Sequence, residues 1–267
     1  MRASEQRAPV RGAELAFDRS GEGPDVIWGH GLSQTRAIEE DMGLIDWDRV
    51  RAQVLRYDAR GHGRSSSTPD LTGYSWAELA RDQLALADHC GIGTYVAAGA
   101  SMGCGTALHA ALLAPERVRA LVLVIPPTAW EARSEQVGQW LASAQLIEDH
   151  GVEALIEARA ALPLPDPFAA DEGRRDQSAA ATRSWAPDRL ARVFRGAALA
   201  DLPDRRQVAS VSVPALILAW TGDPVHPLAT AEALAALLPD NELSVASTAP
   251  EVARWTERVA AFVDRLA

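Results

Sequence analysis

A serine between two glycines, Gly99-Ala-Ser101-Met-Gly103, follows an apolar run and opens a helical pattern. In that context a serine can be held on a tight strand-to-helix turn with its hydroxyl presented as a nucleophile. The glycines suit the turn because side chains two residues either side of the serine would clash with neighbouring elements. Trp28-Gly-His30-Gly31-Leu32 ends an early strand, and Trp220-Thr-Gly-Asp223-Pro-Val-His226-Pro227 closes a late one. Hydroxyl, carboxylate and imidazole are the groups that acyl transfer uses. The imidazole takes the serine proton and the carboxylate orients the imidazole.

Composition removes other chemistries. All 26 basic residues are arginine, and the formal charge is −10. Without lysine there is no Schiff-base mechanism and no Walker-type phosphate loop. The acidic balance and the lack of a basic block argue against nucleic acid as a partner. Cys90 and Cys104 imply no disulfide framework and fit a reducing compartment. With the histidines scattered, they also lack metal-ligand spacing, so neither a metal nor another cofactor is required. Met1 to Val10 carries Arg2, Glu5 and Arg7 and does not read as a signal peptide. His89 to Pro115 has no formally charged residue, but its glycines suit turns rather than a membrane span. These features predict a cytoplasmic protein, monomer or weak homodimer, with a small-molecule substrate and no membrane partner.

The elements that must position these groups alternate. Asp25–Trp28, Gln53–Tyr57, Thr94–Ala98 and Ala120–Ile125 read as strands. Trp76 to Cys90 and Thr106 to Ala114 read as helices, stopped by Gly91 and Pro115. This order predicts parallel pairing through right-handed crossovers. From about Trp130 to Arg206 the β-rich segments stop. Glu135–Asp149 and Val152–Ala161 read as helices, Pro163–Pro167 as a rigid connector, and Ala169–Ala181 as a mobile polar stretch. The α/β rhythm returns with strands at Ala215–Trp220 and Leu243–Ala246 and helices at Leu228–Leu238 and Glu251–Leu266.

With the loop Arg56-Tyr-Asp-Ala-Arg-Gly-His-Gly-Arg-Ser65 after the second of these strands, the whole chain resembles an α/β hydrolase of the esterase, lactonase and C–C hydrolase type. The resemblance implies an α/β fold with a mostly parallel central sheet flanked by helices. Residues 1–129 and 207–267 would form the core and 130–206 an inserted helical lid. It also makes Ser101 the nucleophile and Asp223 the orienting acid, with the backbone N–H groups of Leu32 and Met102 as the oxyanion hole.

A histidine should come third, on the strand ending near Ala246, but Ala246-Ser247-Thr248 stands there and no histidine follows His226. His226, three residues after Asp223, is the best substitute as base or substrate ligand; its plainer reading is a cap on the local turn. His30 reads as structural, or as a substrate-binding residue beside the oxyanion loop. His62 reads as a turn residue, and His89, His109 and His150 as helix residues. Trp130, Trp140 and Trp185 suit an apolar cavity or plain packing, with Trp130 the choice for substrate contact. Cys104 reads as core, Arg174 and Arg175 as a solvated face, and Asp58, Arg60 and Arg64 as a loop-internal ion pair or a substrate-carboxylate clamp. Three functions follow: a serine hydrolase of a small ester, lactone or related carbonyl compound; a lyase or isomerase on the same scaffold, favoured by the missing histidine; and an inactive ligand-binding protein.

Overall fold

The computed structural model describes residues 4–266. β1 (Gln6–Val10) and β2 (Ala13–Ser20) form a hairpin; β3 (Asp25–Gly29), α1 (Arg36–Met42), β4 (Gln53–Tyr57) and α2 (Trp76–His89) follow. Next come β5 (Tyr95–Ala100), α3 (Met102–Leu113) and β6 (Val118–Val124). Helices α4 (Arg133–Ala160), α5 (Glu172–Arg183), α6 (Pro187–Ala197) and α7 (Arg205–Ala209) intervene before β7 (Ala215–Trp220). α8 (Leu228–Leu237), β8 (Asn241–Ala246), α9 (Ala249–Ala253) and α10 (Trp255–Asp264) come last. The eight strands lie in the order β1-β2-β4-β3-β5-β6-β7-β8. Among the described residues, only the β1–β2 and β2–β4 pairings are antiparallel; the rest of the sheet is parallel.

The parallel strands are apolar on both faces because helices cover both. β5 and β7 are buried at every position. Along β3 the period of two sends Ile27 into one core, with Leu55, Trp76, Leu79 and Leu108. Val26 and Trp28 enter the other, with Val122, Leu218, Trp255 and Phe262. The charge-free stretch from His89 to Pro115 is divided among the end of α2, β5 and α3. Among the described residues, no helix is long and apolar enough to cross a membrane.

Several local expectations need correction. The opening hairpin was not anticipated from the sequence; its two-residue turn puts Arg11 and Gly12 at φ 43° and 77°, the positive angles that match the twist of paired strands. Arg2 lies outside the described residues, whereas Glu5 pairs with Arg36 and Arg64. The helix expected from Thr106 begins at Met102, directly after Ser101. Ala169–Ala181 is largely helical: the Asp171 side chain accepts the Arg174 N–H and caps α5. Arg174 and Arg175 are not simply solvated. The first lies over the Phe168 ring at 3.9 Å, and the second donates to the carbonyls of Ala160 and Leu162. The final helix is split into α9 and α10 around Arg254.

Candidate active site

Ser101 lies between β5 and α3 at φ 50°, ψ −108°, a conformation costly for a residue with a Cβ. Its backbone N–H donates to the Val124 carbonyl at 2.9 Å. The two glycines let three backbones meet. A Cβ on Gly99 would lie 2.5 Å from the Gly103 carbonyl carbon, and one on Gly103 would lie 2.7 Å from that of Gly29 and closer to its oxygen. Cys104, fully buried, donates its Sγ–H to the carbonyls of Gly99 and Val124 at 3.2 Å. Burial pushes its thiol up, so it serves as core beneath the turn.

The loop after β7 comes over this turn. His226 Nε2 lies 2.8 Å from Ser101 Oγ, and His226 Nδ1 lies 2.7 Å from Asp223 Oδ2. The other carboxylate oxygen, Oδ1, accepts the backbone N–H groups of Val225 and His226. Trp220 Nε1 donates to Oδ2 at 2.8 Å. Burial works against the charge on Asp223, but His226 and these donors overcome it and hold the carboxyl down to about 2. An ionised Asp223 fixes the tautomer: Nδ1 donates to it, leaving Nε2 to accept the serine O–H. Trp220 was not singled out from the sequence, although a tryptophan at the end of a strand and three residues before an aspartate was its available signal.

At the end of β8, where the sequence led us to seek a histidine, the chain caps a helix instead. The backbone N–H groups of Ser247 and Thr248 donate to the Glu251 carboxylate.

His30 is 1% exposed. Its Nδ1 donates to the Gly31 carbonyl at 2.8 Å and its Nε2 accepts the Ala59 N–H at 3.0 Å. Both nitrogens thus brace the turn, and burial holds the ring below the usual histidine range. A Cβ on Gly31 would sit 3.7 Å from Ser101 Cβ, so the Gly31–Leu32 backbone lies against the serine. Met102 begins α3, where a backbone N–H has no carbonyl of its own helix to bond. Trp185 Nε1 donates to the Ser33 carbonyl at 3.2 Å, bringing the helical insertion onto this turn. Trp130 sits at the root of the insertion, its Nε1 donating to the Pro203 carbonyl and its backbone N–H to Asp201. Trp140 is buried beside the guanidinium of Arg133.

The Arg60 loop differs from expectation. Arg60 pairs with Asp82 of α2, while Asp58 accepts the backbone N–H groups of Arg36 and Arg64 and faces the Arg36 guanidinium. Partners from other elements, rather than a loop-internal pair, neutralise these charges. His62 hydrogen-bonds to the Arg60 carbonyl within its turn, His109 to that of Asp201, and His89 packs edge-on to Phe17.

Glu39 of α1 accepts the Trp28 indole N–H and the Gly31 backbone N–H. Burial pushes its carboxyl up from 4.5 to about 7 against those two donors. Between these values the folded chain keeps a proton that the unfolded chain releases. Stability therefore falls as pH rises through this window, and the loss is complete above 7. Glu39→Gln keeps an acceptor for Trp28 without the buried charge. Its Tm should match that of the parent near pH 5 and exceed it by a few degrees at pH 8. Equal Tm values at both pH values would refute the assignment.

The arrangement can deprotonate the Ser101 hydroxyl through Nε2 while Asp223 balances the resulting imidazolium. The alpha/beta hydrolase fold family model matches residues 26–256. The chain is 29% identical over 217 residues to 3-oxoadipate enol-lactonase 2 of Acinetobacter baylyi, covering 79% of this chain and 76% of that protein. Among solved structures, a thermophilic esterase from Thermogutta terrifontis superposes with a TM-score of 0.82 at 22% identity, over 99% of each chain. The enol-lactonase from Burkholderia xenovorans LB400 gives 0.76 at 22% identity, over 98% of each. These structures share the fold of this chain. With the family match spanning the parallel part of the sheet, the turn at Ser101 and the loop of Asp223 and His226, the chain belongs to the α/β hydrolase fold family.

Proposed function

We propose that this hydrolase acts on a small ester, lactone or related carbonyl substrate through a serine nucleophile. The observation that carries the reading is the continuous chain from Ser101 Oγ to His226 Nε2 at 2.8 Å and from Nδ1 to Asp223 at 2.7 Å. Ser101 attacks the carbonyl carbon as its proton passes to Nε2. The N–H groups of Leu32 and Met102 stabilise the oxyanion. Collapse of the tetrahedral intermediate expels the alkoxide, which takes the proton from His226, and an acyl-enzyme remains. Water, deprotonated by the same imidazole, then releases the acid and restores Ser101. In a lactone, the expelled alkoxide stays tethered to the acyl group.

The helical insertion, residues 130–206, acts as a lid in this reading, its Trp185 resting on the oxyanion turn. Similarity to an enol-lactonase supports a lactone or ester carbonyl. The lyase or isomerase alternative drew its case from a missing imidazole, and no other observation favours it.

A fluorophosphonate probe tests the reading. We expect rapid modification of Ser101 and release of p-nitrophenol from a short-chain p-nitrophenyl ester. Ser101→Ala should lose both, with turnover falling by about 10⁴-fold or more. A folded parent protein that neither labels nor turns over the ester would overturn it.

A further inference from the structure

We infer that Trp220 is a positioning residue for the reaction, its indole N–H fixing the Asp223 carboxylate and limiting the negative charge offered to His226. The inference rests on the serine-hydrolase reading for its catalytic meaning, though its electrostatic content can be measured separately.

Asp223 and His226 stand three residues apart on one loop, so neither is held by the other from a separate element. The backbone donors on Oδ1, Val225 and His226, belong to the same loop and would move with it. Trp220 is different: it is the last residue of β7, paired in register with Ala246 of β8. Its indole bonds the same oxygen, Oδ2, that receives His226 Nδ1.

The indole itself has little freedom. It is 5% exposed, stacked on Trp255 with centroids 5.9 Å apart and planes at 22°. Phe168 meets it edge-on at 5.6 Å, and the His226 ring is also edge-on at 6.2 Å. A donor anchored this way ties the carboxylate to the sheet. Two donors sharing one oxygen also divide its charge, so the imidazole is offered less than an unshared carboxylate would give it.

Of the charged groups on neighbouring elements, the Arg174 guanidinium lies over the Phe168 ring and Glu251 caps α9, while Asp166 of the connector sets its carboxylate against Gly222, next to Asp223. Asp223 and His226 are thus the ionisable pair that meets the indole directly.

The test follows histidine titration by NMR and, in parallel, the pH dependence of fluorophosphonate labelling, in the parent protein and Trp220→Phe. Phenylalanine keeps an aromatic ring against Trp255 and removes the donor. We expect the His226 titration midpoint to rise by about half to one pH unit, the acid limb of the labelling profile to move with it, and labelling to slow by about fivefold to tenfold on the plateau. A slowed reaction with both pH profiles unmoved would reduce Trp220 to packing and overturn the inference. Should the variant not fold, the parent alone suffices: the Trp220 indole N–H resonance must shift as His226 titrates, and a flat response overturns the inference. A parent protein that shows the titration linkage but does not label upholds the Trp220–Asp223–His226 coupling and removes the serine-hydrolase reading.

Discussion

His226→Ala should lower kcat/KM for ester hydrolysis by about 10⁴-fold or more, with KM little changed and the fold intact. Among the described residues, the His226 ring is the group that hydrogen-bonds Ser101 Oγ, at 2.8 Å, so the variant leaves the serine proton without that acceptor. Most of the loss should fall on kcat, because imidazole and serine exchange the proton in the transition state rather than in the bound complex. The double variant Ser101→Ala/His226→Ala should lose little beyond either single change, since the two groups act as one unit. Stopped-flow measurement of the acylation burst gives the direct check. A loss below tenfold, or additive losses in the double variant, would mean that another group takes the proton.

The second large effect concerns the fold beneath the serine. Gly103→Ala should destabilise the protein by about 4 kcal/mol or more and lower Tm by roughly 10 °C. The new methyl would fall on the carbonyl of Gly29, and that atom cannot yield alone. Gly29 is paired into the sheet on both sides, with Tyr57 and with Gly99. Relief would require α3 to lift from β3, carrying Ser101 and Met102 with it, so labelling should fall along with stability. Gly138→Ala is the control: it lies in α4, where a Cβ meets nothing within 4 Å, and the change should leave stability equal or slightly raised. Calorimetry on the pair decides the point. A Gly103→Ala protein as stable as its Gly138→Ala counterpart would show that the close approach costs nothing.

The parts of this molecule that were legible in the sequence are those governed by local rules. The apolar runs of β5 and β7 are readable because a strand covered on both faces needs apolar residues on both. The turn at Ser101 is readable because its glycines are a steric requirement. The stop between Asp149 and Val152 appears as a break at Gly151, at φ 80° inside α4. What escaped notice depends on partners distant in the chain. Trp220 gains its meaning from Asp223 together with Trp255 and Phe168. Arg60 reads as a loop residue until α2 presents Asp82. The polar, alanine-rich α5 has too little apolar periodicity to announce a helix, yet it forms with Asp171 at its cap and Arg183 bound to Glu153. The missing histidine shows the limit most clearly. The family resemblance placed an imidazole after β8 and left His226 as the substitute, but only the distance through space from the β7 loop brings that ring to Ser101 Oγ.

That displacement has a mechanical consequence. β8 is the outermost strand on its side of the sheet, and much of its length is partly or wholly exposed. Edge strands open first when a native protein fluctuates, well below the free energy of global unfolding. A proton acceptor mounted beyond β8 would drift with each such opening. Here Asp223 and His226 both hang from β7, paired on both sides by β6 and β8, so in the proposed mechanism the proton acceptor would be mounted on an interior strand rather than on the margin of the sheet.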